Sequence, residues 1–166
     1  MKKAFSMIEM IFAIAVIGIL SAIAIPKMMA NKQTAQIVKL KEQVEAIRKG
    51  IEAYAGNQYL ETGKKTYPNT LCDKANLDWA GKCNFASGNL FGNVASAVKS
   101  GKGESWNGWS KNTGEVFIYY PNPKKTNIGY IFQYYKGEFN CLKSYSHFGG
   151  KVLPCSDLNE EAKSEY

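Results

Sequence analysis

The spacing of hydrophobic and polar positions changes three times along the chain. Residues 5–25 (FSMIEMIFAIAVIGILSAIAI) are apolar almost throughout, interrupted only by Ser6, Glu9, Gly18 and Ser21. As a helix at ~1.5 Å per residue the run is about 31 Å long, matching the ~30 Å hydrocarbon core of a bilayer. Further on, Ile37, Leu40, Val44, Ile47, Ile51 and Tyr54 recur three or four residues apart, the signature of one buried helix stripe. Lys39, Lys41, Glu42, Glu45, Arg48, Lys49 and Glu52 occupy the other faces, with Glu45 and Lys49 in the favourable i, i+4 order. Gly56 is the first stop signal, so one helix is expected over about residues 5–55. Its stripe needs a cover. A coiled coil would supply one, but packing against strands downstream is the preferred reading.

Past the helix, residues 56–68 lack periodicity and read as a loop. Leu90, Phe91, Val94, Ala97 and Val98 suggest a short helix ended by Gly101, and the Gly- and Asn-rich residues 101–114 suggest an exposed loop. Residues 115–120 (EVFIYY) and 128–135 (IGYIFQYY) are β-branched and aromatic at strand length. Lys136 and Gly137 then turn the chain into a third strand over residues 138–143. The expected fold class is α+β: a long N-terminal helix, membrane-spanning in its first half, packed on a small three-stranded antiparallel sheet. The charged residues 160–166 are expected to fray.

Glu9 decides how the apolar run is read. A secretory signal peptide would explain the small residues at Ala22 and Ala24, but the run is longer than the usual h-region. A plain membrane anchor explains the length, yet leaves a carboxylate in lipid at a cost of a few kcal/mol. A third reading accounts for Glu9 as well. The segment Lys2-Lys3-Ala4-Phe5-Ser6-Met7-Ile8-Glu9-Met10 resembles the type IV prepilin signature. The family usually has glycine where this chain has Ala4, and leucines where Met7 and Met10 stand.

The resemblance implies cleavage between Ala4 and Phe5 by a prepilin peptidase, N-methylation of Phe5, and assembly through Glu9, which would neutralise the Phe5 amine of a neighbouring subunit. Gly18 and Pro26 also match the family pattern. There they imply a stretch that unwinds on assembly, against the simpler reading of a kink at the membrane exit. The implied organisation is a leader over 1–4, a transmembrane half-helix over 5–25, an amphipathic half-helix over 26–55 and a globular region over 56–166, a pilin-like fold. Lys2 and Lys3 place the extreme N-terminus in the cytoplasm by the positive-inside rule. The globular part is then periplasmic, anchored in the inner membrane before entering a filament. Implied partners are the peptidase, other pilin subunits, an inner-membrane platform with its ATPase, and membrane lipid. Secretion of the type II kind, DNA uptake and adhesion or motility all remain open as the filament's task. The alternative is a membrane-anchored periplasmic binding protein that does not polymerise.

Four cysteines change the picture of the exported part. Cys72, Cys83, Cys141 and Cys155 form no CxxC pair, which weakens zinc and thioredoxin-like readings. An exported domain favours two disulfides over free thiols. Three connectivities exist. Local partners, Cys72 with Cys83 and Cys141 with Cys155, meet most easily, and the sequence leaves the choice open. By resemblance, the second pair would bound a C-terminal loop as in many pilins.

No catalytic constellation, metal site or cofactor is expected. His147 is the single histidine, and neither GxxxxGK[ST] nor GxGxxG occurs. Asp157, Asn159, Glu160 and Glu161 supply oxygens, but match no calcium loop. The net charge is +7. Lys99, Lys102 and Lys111 lie near Trp106 and Trp109, and Lys124 and Lys125 near Tyr119 and Tyr120, a pattern that can bind nucleic acid. The preferred reading is plainer: the tyrosines are sheet core and the lysines keep the surface soluble, so DNA is a weakly supported partner.

Overall fold

The computed structural model describes residues 6–73, 77, 83–85, 89–101, 103–111 and 114–166, without the side chains of residues 22–32 and 111. The chain divides into two compact units, Met1–Val38 and Lys39–Tyr166. One helix, α1 (Met7–Thr62), contributes to both.

In the first unit every described side chain from Ser6 to Ser21 is exposed, Met7 to 83%, Ile8 to 75% and Phe12 to 71%. Among the described residues nothing covers this surface. The described side chains of this stretch stop at Ser21, and among the described residues no helix is long and apolar enough to cross a membrane. The apolar run in the sequence continues beyond them at both ends.

In the second unit the expected stripe is the helix's buried face. Leu40, Val44, Ile47 and Ile51 are buried, with Ala55 continuing the row. Glu45 lies 3.6 Å from Arg48, one residue short of the expected Lys49. The helix does not stop at Gly56. It runs through it to Thr62, because the buried row goes on past Ile51 and the true cap comes later. Gly63 adopts a left-handed φ of 70° and donates its N–H to the Tyr59 carbonyl at 2.9 Å. That is the αL cap, which glycine adopts without Cβ strain.

The sheet is larger than the expected meander. Strands β3 (Trp106–Lys111), β4 (Gly114–Tyr119), β5 (Ile128–Tyr135) and β6 (Glu138–Cys141) lie in that order, all antiparallel. Strand β7 (Lys151–Val152) pairs in parallel with the start of β5. The register sets Trp106 opposite Tyr119, Phe117 opposite Phe132, and Tyr135 opposite Glu138. Lys136 and Gly137 both have positive φ, the geometry of a tight hairpin turn.

Two expectations of the middle segment are overturned. Residues 90–98 are not a helix. They form a hairpin of β1 (Asn89–Leu90) and β2 (Val98–Lys99) around a turn in which the Phe91 carbonyl accepts from Val94 and Ala95. Leu90 and Phe91 are both buried, Phe91 at φ 66° in an aromatic cluster, so tertiary packing overrides local periodicity. Nor is all of 101–114 an exposed loop: residues 103–105 keep turn and bend geometry, but Trp106–Lys111 pairs with β4 as strand, although its Asn107-Gly108 resembles turn punctuation.

Both faces of the sheet are buried, which explains the unbroken burial along β4 and β5. Toward the helix, Phe91 packs on Phe117 and Trp106 at 4.8 and 5.1 Å, and Phe132 stacks on Phe139 at 5.2 Å. On the other face Val116, Ile118, Tyr120 and Ile131 pack with Leu142 and Tyr145, flanked by Trp109, Phe148 and Val152. The segment after β6 therefore roofs the sheet.

The C-terminal residues do not fray. Lys163 exchanges backbone hydrogen bonds with Cys141 and Lys143. Glu160 takes a forked pair of bonds from Arg48 at 2.8 and 2.7 Å, and Arg48 also donates to the Phe139 carbonyl. Tyr166 donates its N–H to Gln133 and its hydroxyl to Glu138.

Candidate functional site

The N-terminus of α1 is built from four residues, Ser6-Met7-Ile8-Glu9. The Ser6 hydroxyl accepts the Glu9 backbone N–H at 3.3 Å. The Glu9 carboxylate reaches back to the Ser6 N–H at 3.2 Å and to its hydroxyl at the same distance. This is a reciprocal capping box, which satisfies donors that the first helical turn otherwise leaves open. The carboxylate also faces the positive end of the helix dipole. Glu9 thus has a partner within its own chain before any neighbour arrives. The sequence reading assigns Glu9 to a neighbour's amine and misses this cap, although Ser-x-x-Glu before an apolar run is its standard signal.

Ala4 and Phe5 lie outside the described residues. Gly18 is helical and a Cβ there would meet nothing within 4 Å. Ser21 donates its hydroxyl to the Ile17 carbonyl at 2.7 Å, a back-bond that tends to bend helices. The backbone is helical through Pro26, whose side chain lies outside the described part.

The remaining candidates are parts of the globular scaffold. Cys72 is bonded to Cys83 and Cys141 to Cys155, with Cα separations of 5.8 and 5.9 Å. Glu115, which the sequence reading left unremarked, is buried beside the first pair. Its carboxylate accepts the Leu71 N–H at 2.8 Å and the Thr70 hydroxyl. Burial still pushes its pKa up, against the two hydrogen bonds that pull it down. With both sulfurs joined to each other, the cluster offers no thiolate to a metal.

The acidic residues of 157–161 do not converge into a ligand set. Asp157 accepts from the Tyr130 hydroxyl at 2.7 Å, Glu160 is held by Arg48, and Asn159 caps a 3₁₀ turn over Cys155–Leu158. His147 is exposed, its Nδ1 at 2.9 Å from the Ser146 hydroxyl. Trp106 is buried and donates to Gln43, and Trp109 donates to the Tyr145 hydroxyl. Tyr119 and Tyr120 are buried too. Lys99 lines a groove with Trp106 and Tyr119, but both rings are buried in the fold and leave little face for a base to stack on. Lys102 lies outside the described residues.

An exposed apolar helix with an acidic cap, leading into an α+β unit with antiparallel strands against the same helix, defines a pilin-like class of protein. The prokaryotic N-terminal methylation motif matches residues 1–25. That motif marks the chain as a type IV pilin- or pseudopilin-like prepilin, a family of typically non-enzymatic structural subunits. It implies processing by a prepilin peptidase and anchoring in the inner membrane through the N-terminal helix. No curated protein and no solved structure matches the chain.

Proposed function

We propose that this chain is a structural subunit of a type IV pilus-like filament. In this reading it is cleaved between Ala4 and Phe5, methylated at Phe5, and assembled through the N-terminal part of α1. The observation that carries the proposal is the matched motif on a helix whose described apolar side chains are all exposed from Met7 to Leu20. Such a surface is stable in lipid, or against copies of itself. Transfer from one to the other is what assembly requires, and a membrane platform with a cytoplasmic ATPase would drive it. Gly18 and Pro26 would let the helix loosen between them, since glycine lowers local helix propensity by about 1 kcal/mol and a helix-interior proline costs about 3 kcal/mol.

Glu9 would leave its cap to meet the Phe5 amine of a neighbour. Losing an N-terminal cap costs about 1 kcal/mol, which the new ion pair offsets only where water is excluded. Two variants separate the roles. Glu9→Ala removes both cap and charge, whereas Glu9→Gln keeps an N3 acceptor for the box and removes only the charge. Both are expected to abolish filaments, counted by electron microscopy, while the globular unit stays folded. Filaments from Glu9→Gln at the normal level would show that the charge is not needed. Mass spectrometry of the mature N-terminus checks the processing: a methylated Phe5 is expected, and retention of residues 1–4 overturns the reading.

Secretion, DNA uptake and adhesion or motility would use the same polymer. The buried aromatics give DNA little to stack on. Binding of the full chain to DNA with a steep salt dependence would assign the uptake system.

A further inference from the structure

A groove of about 460 Å³ opens on the roofed side of the sheet. That volume falls in the ~300–1,000 Å³ range of small-molecule sites. Asn107 from β3, Tyr120 at the end of β4, Thr126 and Asn127 from the loop before β5, and Phe148 and Gly149 from the segment before β7 line it. None of the described lining residues carries a formal charge.

Tyr120 is the informative residue. It is only 5% exposed, its ring sits in the core cluster, and its centroid lies 6.5 Å from that of Phe148. Its hydroxyl has no hydrogen-bond partner among the described residues, and yet no buried side-chain polar atom is orphaned. The hydroxyl therefore reaches the surface of the groove that the residue lines. A burial this deep ends in an unfilled polar tip, whereas Tyr134, in the larger groove beside Pro68, donates to the Pro68 carbonyl. Asn107 spends its carbonyl oxygen on the Gly108 N–H at 2.8 Å, which leaves its NH₂ as a donor. Thr126 and Asn127 are exposed and can each both give and accept.

We propose that this groove is a binding subsite for a neutral saccharide. Phenol, hydroxyl and amide groups that both donate and accept match sugar hydroxyls, which do the same. The apolar face of a sugar ring fits against the half-buried Phe148, and the uncharged lining favours a neutral ring over a phosphate. Filling the site would satisfy the Tyr120 hydroxyl, which otherwise depends on water.

The test uses the full chain in micelles of a detergent that carries no sugar. Chitotriose, maltotriose and lactose are titrated by saturation-transfer NMR, with a single-stranded oligonucleotide as competitor. At least one of the three sugars should bind saturably, and the oligonucleotide should not displace it. Gly149→Trp should abolish binding, because Gly149 lines the groove and a Cβ there meets nothing within 4 Å, leaving room for a bulky side chain. Tyr120→Phe should weaken binding about five- to tenfold, the loss of one hydrogen bond. If Gly149→Trp does not fold, as judged by near-UV circular dichroism, Tyr120→Phe decides alone. Binding of none of the sugars, affinity unchanged in the folded variants, or displacement by the oligonucleotide would overturn the proposal. Polymerisation plays no part in the measurement, so it stands apart from the filament reading.

Discussion

Glu115 faces Tyr134 across β4 and β5 and holds the chain that leads to Cys72 through Leu71 and Thr70. Its raised pKa has a definite consequence for stability. As pH rises past the ordinary carboxylate value, the unfolded chain loses this proton first while the folded chain keeps it. The group's contribution is therefore fully present below that value and is lost as pH rises through the folded pKa. Glu115→Gln removes the ionisation and keeps an acceptor for Leu71. Relative to the native chain, the variant should become steadily more stable as pH rises above the ordinary carboxylate value, levelling off once the folded group has ionised, measured by urea unfolding in micelles. A stability difference that does not move with pH would mean that the carboxylate is not desolvated. At this scale the sequence was only partly legible. The spacing of Ser6 and Glu9 contains the cap outright. A carboxylate at Glu115 looks like the solvent end of a strand until β3 and the 68–72 segment close over it.

Among the elements, α1 carries two glycines that should respond in opposite directions. A Cβ at Gly50 would stand 1.7 Å from the Val94 carbonyl oxygen, whereas one at Gly56 meets nothing within 4 Å. Gly56→Ala should raise stability by up to about 1 kcal/mol through helix propensity. Gly50→Ala should lower it by about 1–3 kcal/mol, because the turn at 91–96 must give way. Thermal unfolding of the two variants side by side checks both signs. Equal stabilisation would mean that the turn does not rest on the helix. The same pair shows why element boundaries were hard to read. Gly56 has the composition of a stop, but only Gly63 has the conformation of one. The stripe from Leu40 to Ile51, and strands β4 and β5, were legible because their periodicity is strong. The hairpin at Asn89–Lys99 and strand β3 were not, since their pairing is with residues distant in sequence and their Gly and Asn mimic loops.

For the molecule as a whole, the α+β arrangement and both local disulfides follow the sequence reading, while the roof over the sheet and the docked C-terminal residues do not. Charged residues such as Glu160 and Lys163 look solvated in isolation, and only the fold brings Arg48 and Cys141 to them. The Cys141–Cys155 bond closes a loop with a sequence separation of 14, and within it lie Leu142, Tyr145, Phe148 and Val152, which cover Val116, Ile118 and Ile131. Replacing both cysteines by alanine should cost about 3 kcal/mol by loop entropy. It should also loosen the roof, seen as increased binding of a hydrophobic dye at temperatures where the native chain binds none. Unchanged melting would show that side-chain packing alone holds the loop.

The anchoring of Tyr166 bears on how the protein is handled. A purification handle fused after this residue would pull on a backbone N–H given to Gln133 and a phenol given to Glu138. The exposed turn at Asn122 and Lys124, braced by its own Asn122 hydrogen bonds, is the better place for an inserted epitope.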